Sequence, residues 1–191
     1  MVLFDSVALL VMTNMTTVKQ LSNVAHSRWY WLVFILGGIL LIAAALYFQF
    51  VRDELPCTLC IHVRLWVTLF IIVSFAGLLL RRLKIINTLA QLSILLIAGA
   101  LIERSWQLLG TERGFLPGTC GFDLGLPAWF TIEEWLPWLF RVETTCGQTP
   151  EILFGISMAE ALIVLSILLF IISFCIFSAS LITIVRRNLR A

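Results

Sequence analysis

Pro56-Cys57-Thr58-Leu59-Cys60-Ile61-His62-Val63-Arg64 opens a run of apolar residues that continues to Leu80 and stops at Arg81-Arg82-Leu83-Lys84. Residues 61–80 hold one formal charge, Arg64, and match the roughly 20 residues a helix needs to cross a hydrocarbon core. In lipid the backbone polar groups must be bonded within their own segment, and nothing here alternates as a barrel strand would, so the run reads as a helix. Working outward, runs of the same kind lie at residues 29–50, 85–101 and 161–185. The third is the shortest and the fourth has residues to spare, which predicts tilt or an extension beyond the bilayer.

Composition agrees. Of the 191 residues 61% are hydrophobic and 13% charged, whereas a soluble domain is about half apolar and a quarter charged. The sequence therefore predicts an all-α membrane protein, a four-transmembrane-helix bundle. The few residues of the basic loop after Leu80 make the second and third helices an antiparallel hairpin.

Charge sets the orientation. Lys19 and Arg28 precede the first span, Arg81, Arg82 and Lys84 separate the second from the third, and Arg186, Arg187 and Arg190 follow the fourth. The other two loops, 51–60 and 102–160, hold most of the acids, among them Asp53, Glu54, Glu103, Glu112, Asp123, Glu133, Glu134, Glu143 and Glu151. By the positive-inside rule the tails at 1–28 and 186–191 are cytoplasmic and the acidic loops face out. In a bacterial cell that side is the periplasm, where disulfides form and persist. Cys57, Cys60, Cys120 and Cys146 all lie there, while Cys175 sits mid-span and reads as a small packing residue. Residues 1–28 make a poor signal peptide, Met12 and Met15 are alternative starts, and no function is assigned to this tail.

The second outer loop has two parts. Gly114, Pro117, Gly118, Gly121, Gly125 and Pro127 make the first irregular, with Cys120 in its midst. In the second, Trp129, Phe130, Ile132, Trp135, Leu136, Trp138, Leu139 and Phe140 crowd around Glu133, Glu134 and Arg141. This predicts a short interfacial amphipathic helix, with a capping box Thr131-x-x-Glu134 and a break near Pro137, that keeps Cys146 close to the Cys57/Cys60 end. A soluble cap packed on itself is the alternative. Glu103-Arg104-Ser105-Trp106-Gln107 reads as an ion pair and an aromatic anchoring the third span.

With helix from Ile61 onward, Cys57, Cys60 and Arg64 fall on one side, and a helix amino terminus and a guanidinium both favour thiolate. Pro56 sets the start of that helix or the geometry of the pair. Arg64, costly near lipid, either snorkels outward or holds a polar group of a ligand between the helices, and its spacing from Cys60 favours the ligand. No phosphate-cradling loop, Ser/His/Asp set or basic nucleic-acid stripe occurs, and a zinc site would lack the usual paired ligand spacing. One Cys-x-x-Cys at the membrane and a distant pair in a loop describe a disulfide relay working through mixed disulfides. A plain loop staple for Cys120 and Cys146 would leave Cys57 and Cys60 unexplained.

From about Met15 to the end of the fourth span the chain resembles the disulfide bond formation protein B (DsbB) family. The likeness rests on Ala45-Leu46-Tyr47-Phe48-Gln49 and Pro56-Cys57-x-Leu59-Cys60-Ile61-x-x-Arg64. It extends to Arg104-x-x-Gln107-Leu108, Thr119-Cys120, Trp135-x-Pro137-x-x-Phe140 before Cys146, and Met158. The resemblance implies a thiol:quinone oxidoreductase of the bacterial inner membrane that reoxidises a periplasmic DsbA-like thioredoxin-fold partner and uses ubiquinone or menaquinone. It implies that Cys60 faces the quinone as a thiolate, that Cys120 is attacked by the partner, that Cys146 exchanges with Cys57, and that Arg64 belongs to the quinone site. The two residues before this arginine are commonly aromatic and acidic in the family. Here they are His62 and Val63, so His62 is a candidate to tune the Cys60 thiolate or a quinone oxygen. Rival readings are a quinone reductase of the vitamin K epoxide reductase type and a non-enzymatic metal-binding membrane protein.

Overall fold

Each of the four apolar runs forms a helix, and each helix continues past the bounds its apolar residues predict. In a computed structural model that describes residues 15–116, 124–125, 132–144, 151–153 and 155–188, helix α1 covers Met15–His26 and α2 Arg28–Val51. Helix α3 is Thr58–Leu80 and α4 Lys84–Glu112, followed by two short turns of helix, α5 (Ile132–Trp135) and α6 (Pro137–Phe140). A two-stranded antiparallel ribbon, β1 (Glu151–Leu153) with β2 (Ile156–Ser157), leads into α7 (Met158–Asn188). Helices α2, α3, α4 and α7 are the four long and apolar enough to cross a membrane, so the protein is an all-α, multi-pass membrane protein.

Their outward faces are apolar: Leu36, Leu40, Ile72, Leu79, Leu96 and Leu168 are all more than half exposed. That is the surface lipid covers. Inside, the helices meet through close approach rather than through a hydrophobic drive, which lipid does not supply. Trp31 is fully buried against Gly77, where a Cβ would lie 2.5 Å from its ring carbons. Gly38 likewise accepts Ile71. The two glycines let α2 and α3 touch, and Tyr30, Phe34 and Phe70 stack around that contact with centroids 4.4 to 5.3 Å apart.

Helix α1, in the segment given no function from sequence, packs along α7 with Val18, Ser22 and Ala25 buried. Ser27 breaks it from α2 and caps α2 by accepting the N–H of Trp29. The Ala25 carbonyl then accepts from Asn87 Nδ2 at 3.4 Å, tying α1 to α4. At the opposite end Ser157 and Glu160 form a reciprocal cap on α7, each bonding the other's backbone N–H, and Glu160 also pairs with Arg113 at the end of α4. This ion pair and cap join the far ends of the two helices.

One local expectation is corrected. Glu103 and Arg104 do not pair directly: Gln107 stands between them, donating to Glu103 and accepting from Arg104, because on a helix positions three and four apart face each other and neighbours do not. The break at Pro137 is present, and Trp135 and Trp138 are exposed while Leu139 and Phe140 are buried, as an interfacial segment requires. The Trp129 and Thr131 ends of that segment lie outside the described residues.

Candidate functional site

Helix α3 begins a turn earlier than its apolar residues predict, because Cys57 is its cap. The Cys57 carbonyl accepts the N–H of Ile61 at 3.0 Å and its sulfur accepts the N–H of Cys60 at 3.3 Å. The two sulfurs lie 2.6 Å apart in a hydrogen bond, both thiols free, in position to close to a disulfide. Cys57 is 2% exposed, yet the thiol of Cys60 hydrogen-bonded to its sulfur lowers its pKa to about 7 against burial that raises it, with backbone N–H groups of the helix start helping. Pro56 precedes this cap and is not the first helical residue. Its carbonyl instead accepts the N–H groups of Glu143 (3.0 Å) and Thr144 (3.3 Å), making Cys57 and Thr144 partners in a single parallel β-bridge.

That bridge brings the second loop down on the cysteine pair. Ile61, fully buried, packs with Leu124, Leu139 and Phe140, so both arms of the loop rest on the first turn of α3. Cys120 and Cys146 themselves lie outside the described residues.

Arg64 is buried, at 6% exposure, and does not snorkel. Its Nη1 donates to Gln49 Oε1 (2.6 Å) and to the Leu139 carbonyl (3.0 Å), and its Nη2 to the Ala45 carbonyl (3.3 Å). One guanidinium thus joins α2, α3 and α6, using the planar fork that a lysine lacks. Beside it a cavity of about 260 Å³ runs between α2, α3, α4 and α7, lined by Cys60 and Arg64 at its polar end and by Leu41, Ile42, Val67, Leu108, Met158 and Leu162 elsewhere. Ala44 and Leu165, also on its lining, are exposed on the lipid-facing side of α2 and α7.

His62 points elsewhere. Its Nε2 bonds the Leu124 carbonyl at 3.0 Å, and it is not among the residues lining the cavity. Cys175, half-buried and unpaired within α7, is remote from the pair in sequence and in helix position.

A family model described as "Disulfide bond formation protein DsbB" matches residues 27–176. The chain belongs to the DsbB family. Disulfide bond formation protein B 2 of Pseudomonas aeruginosa is 34% identical over 165 residues, covering 85% of this chain and 93% of that protein. The Disulfide bond formation protein B of Shewanella sp. (strain MR-4) is 32% identical over 155 residues, 78% of this chain and 89% of that protein. That of Psychromonas ingrahamii is 31% identical over 176 residues, 88% and 91%. Membership makes this an oxidoreductase of disulfide bond formation, and the DsbB match spans all four membrane helices through most of α7.

Gln49 and the Leu139 and Ala45 carbonyls were not legible as partners of Arg64. Gln49 gives a faint signal, a polar side chain at the end of an apolar run, but backbone carbonyls carry none.

Proposed function

We propose that this DsbB-family protein reoxidises a periplasmic DsbA-type thioredoxin-fold protein and hands the electron pair to ubiquinone or menaquinone through Cys120/Cys146 and then Cys57/Cys60. The observation that carries the reading is the cavity shared by Cys60 and Arg64 between apolar helix walls. Its residues fit a quinone headgroup: apolar side chains for the ring faces, guanidinium N–H groups for a carbonyl oxygen, and a sulfur at the same end. Bound there, a quinone would supply a two-electron acceptor inside the membrane.

The chain's own sulfurs do the rest. A partner thiolate attacks Cys120 and breaks the Cys120–Cys146 disulfide, leaving Cys146 as thiolate. Cys146 attacks Cys57, breaking the Cys57–Cys60 disulfide and freeing Cys60 as thiolate on the cavity side. The second partner thiolate displaces Cys120, which then attacks Cys146 and releases Cys57. The dithiol Cys57/Cys60 closes again as its electron pair leaves through the cavity. The β-bridge supports the middle step: Thr144, two residues before Cys146 in the chain, is paired beside Cys57. The charge map, with basic residues at the opposite end of the bundle, supports a periplasmic site and an inner-membrane location. His62 is assigned to holding the loop at Leu124, rather than to the quinone.

Purified protein given reduced DsbA should reduce added ubiquinone, and Cys57→Ser and Cys60→Ser should each abolish turnover. Turnover that survives either substitution overturns the relay. A metal-binding membrane protein would give none from the start.

A further inference from the structure

Among the residues lining the cavity with Cys60 and Arg64 there is one acidic residue, Glu54. It is there because the chain doubles back at the end of α2. Asp53 takes a left-handed backbone conformation, φ 55°, in a position usually left to glycine. The next N–H, that of Glu54, then returns to the Phe48 carbonyl at 3.1 Å, the same acceptor that Arg52 uses. An extended backbone at Asp53 would carry Glu54 away from the bundle. The turn instead gives an exposed acid a place on the cavity lining, so that it meets solvent on one side and the cavity on the other.

Proton balance gives such a group work, if the quinone reading above holds. Reduction to the quinol takes two electrons and two protons. Closing the Cys57–Cys60 disulfide supplies both electrons, but only the protons that the sulfurs still carry. With the Cys57 thiol at about 7, this sulfur is about half ionised at neutral pH, so the pair brings fewer than two. Arg64 keeps its proton at all working pH values, and the remaining lining residues are apolar or backbone.

We propose that the Glu54 carboxyl relays the missing proton from the outer aqueous side to the cavity. In the balanced step the two sulfurs, one as thiolate and one as thiol, become a disulfide. Two electrons pass to the quinone, one proton comes from the remaining thiol, and the other is taken up from the outer water through the Glu54 carboxyl. Glu54 is thereby a catalytic residue of the quinone half-reaction and has no part in thiol exchange.

The test uses the full chain in nanodiscs. Dicyclohexylcarbodiimide, which modifies carboxyls reached from apolar surroundings, should label Glu54, and added ubiquinone should protect it; an adduct that ubiquinone leaves unchanged, or none, overturns the proposal. Glu54→Gln should lower kcat for ubiquinone reduction about tenfold or more, with KM within about twofold, and acetate in the buffer should restore part of the loss. Unchanged kcat in Glu54→Gln, or a loss that acetate does not touch and Glu54→Asp does not relieve, also overturns it. A wild-type protein that fails to reduce ubiquinone at all instead overturns the underlying quinone reading, since the Glu54 variants are read only against wild-type turnover.

Discussion

Thr144 and Cys57 are paired side by side in a parallel β-bridge, with the Pro56 carbonyl accepting both Glu143 N–H and Thr144 N–H. This seam is the described link between the second loop and the residue that caps α3. Its worth is in effective concentration: a tethered thiol meets its target as an intramolecular partner. Thr144→Pro removes one of the two hydrogen bonds, about 1 kcal/mol, and should slow formation of a Cys57–Cys146 disulfide about fivefold. Diamide added as the oxidant to the reduced protein in a Cys60→Ser, Cys120→Ser background, followed by quenched-flow thiol trapping, measures it. An unchanged rate would mean that the seam does not position Cys146.

The ionisation of Cys57 should be visible directly. In the reduced protein, thiolate absorbance should titrate with a midpoint near pH 7, and Cys57→Ser should remove that transition. The sign of the stability effect follows. Between about pH 7 and the ordinary thiol value near 9 the unfolded chain binds the proton that folded Cys57 has lost, so stability of the reduced protein rises with pH through that window. The contribution disappears as pH falls through 7. Thermal unfolding of the reduced protein across this range, beside Cys57→Ser, checks it.

Arg64 should be irreplaceable by lysine. One ammonium cannot serve Gln49, Leu139 and Ala45 together, and each lost charged hydrogen bond costs about 1.5–3 kcal/mol. Arg64→Lys is expected to lower Tm by several degrees and to raise KM for ubiquinone. Gln49→Leu, which leaves Arg64 its two backbone partners, should have the smaller effect on both.

Gly77→Ala tests the packing apart from the chemistry. Its Cβ would lie 2.5 Å from ring carbons of a Trp31 that has no exposed surface into which to move, so α2 and α3 must separate. Overpacking of this kind costs about 1–3 kcal/mol. The variant should unfold at lower temperature, yet, once folded, retain turnover with kcat near wild type, because the contact lies well along α3 from the cysteines.

His62 carries a different expectation. If its bond to the Leu124 carbonyl holds the loop, His62→Phe should speed proteolysis of the loop about fivefold, as loss of a roughly 1 kcal/mol tether allows, while leaving ubiquinone affinity unchanged. A changed ubiquinone KM with unaltered proteolysis would return His62 to the quinone site.

The bundle was legible in the sequence because lipid imposes one rule on every residue of a span: backbone groups bonded internally, side chains apolar, for about 20 residues. That rule reads 61–80 as a helix without reference to any other part of the chain. The same locality made Cys57 and Cys60 legible, since three residues of separation place two sulfurs together in any helical start. It also revealed the cost of Arg64, a charge inside an apolar run. What the residues alone did not contain was where each polar group finds its partner. Arg64 meets two backbone carbonyls, Pro56 offers its own to Glu143 and Thr144, and Glu54 reaches the cavity through a left-handed turn at Asp53. Backbone acceptors are the same at every position, so only the packing of α2, α3 and α6 decides which of them a buried donor meets. The sequence by itself determined the helices and the sulfur pair. The tertiary structure decided that the arginine is held by three acceptors on two helices, that the loop is stitched to the cysteine cap, and that an acid stands at the rim of the cavity.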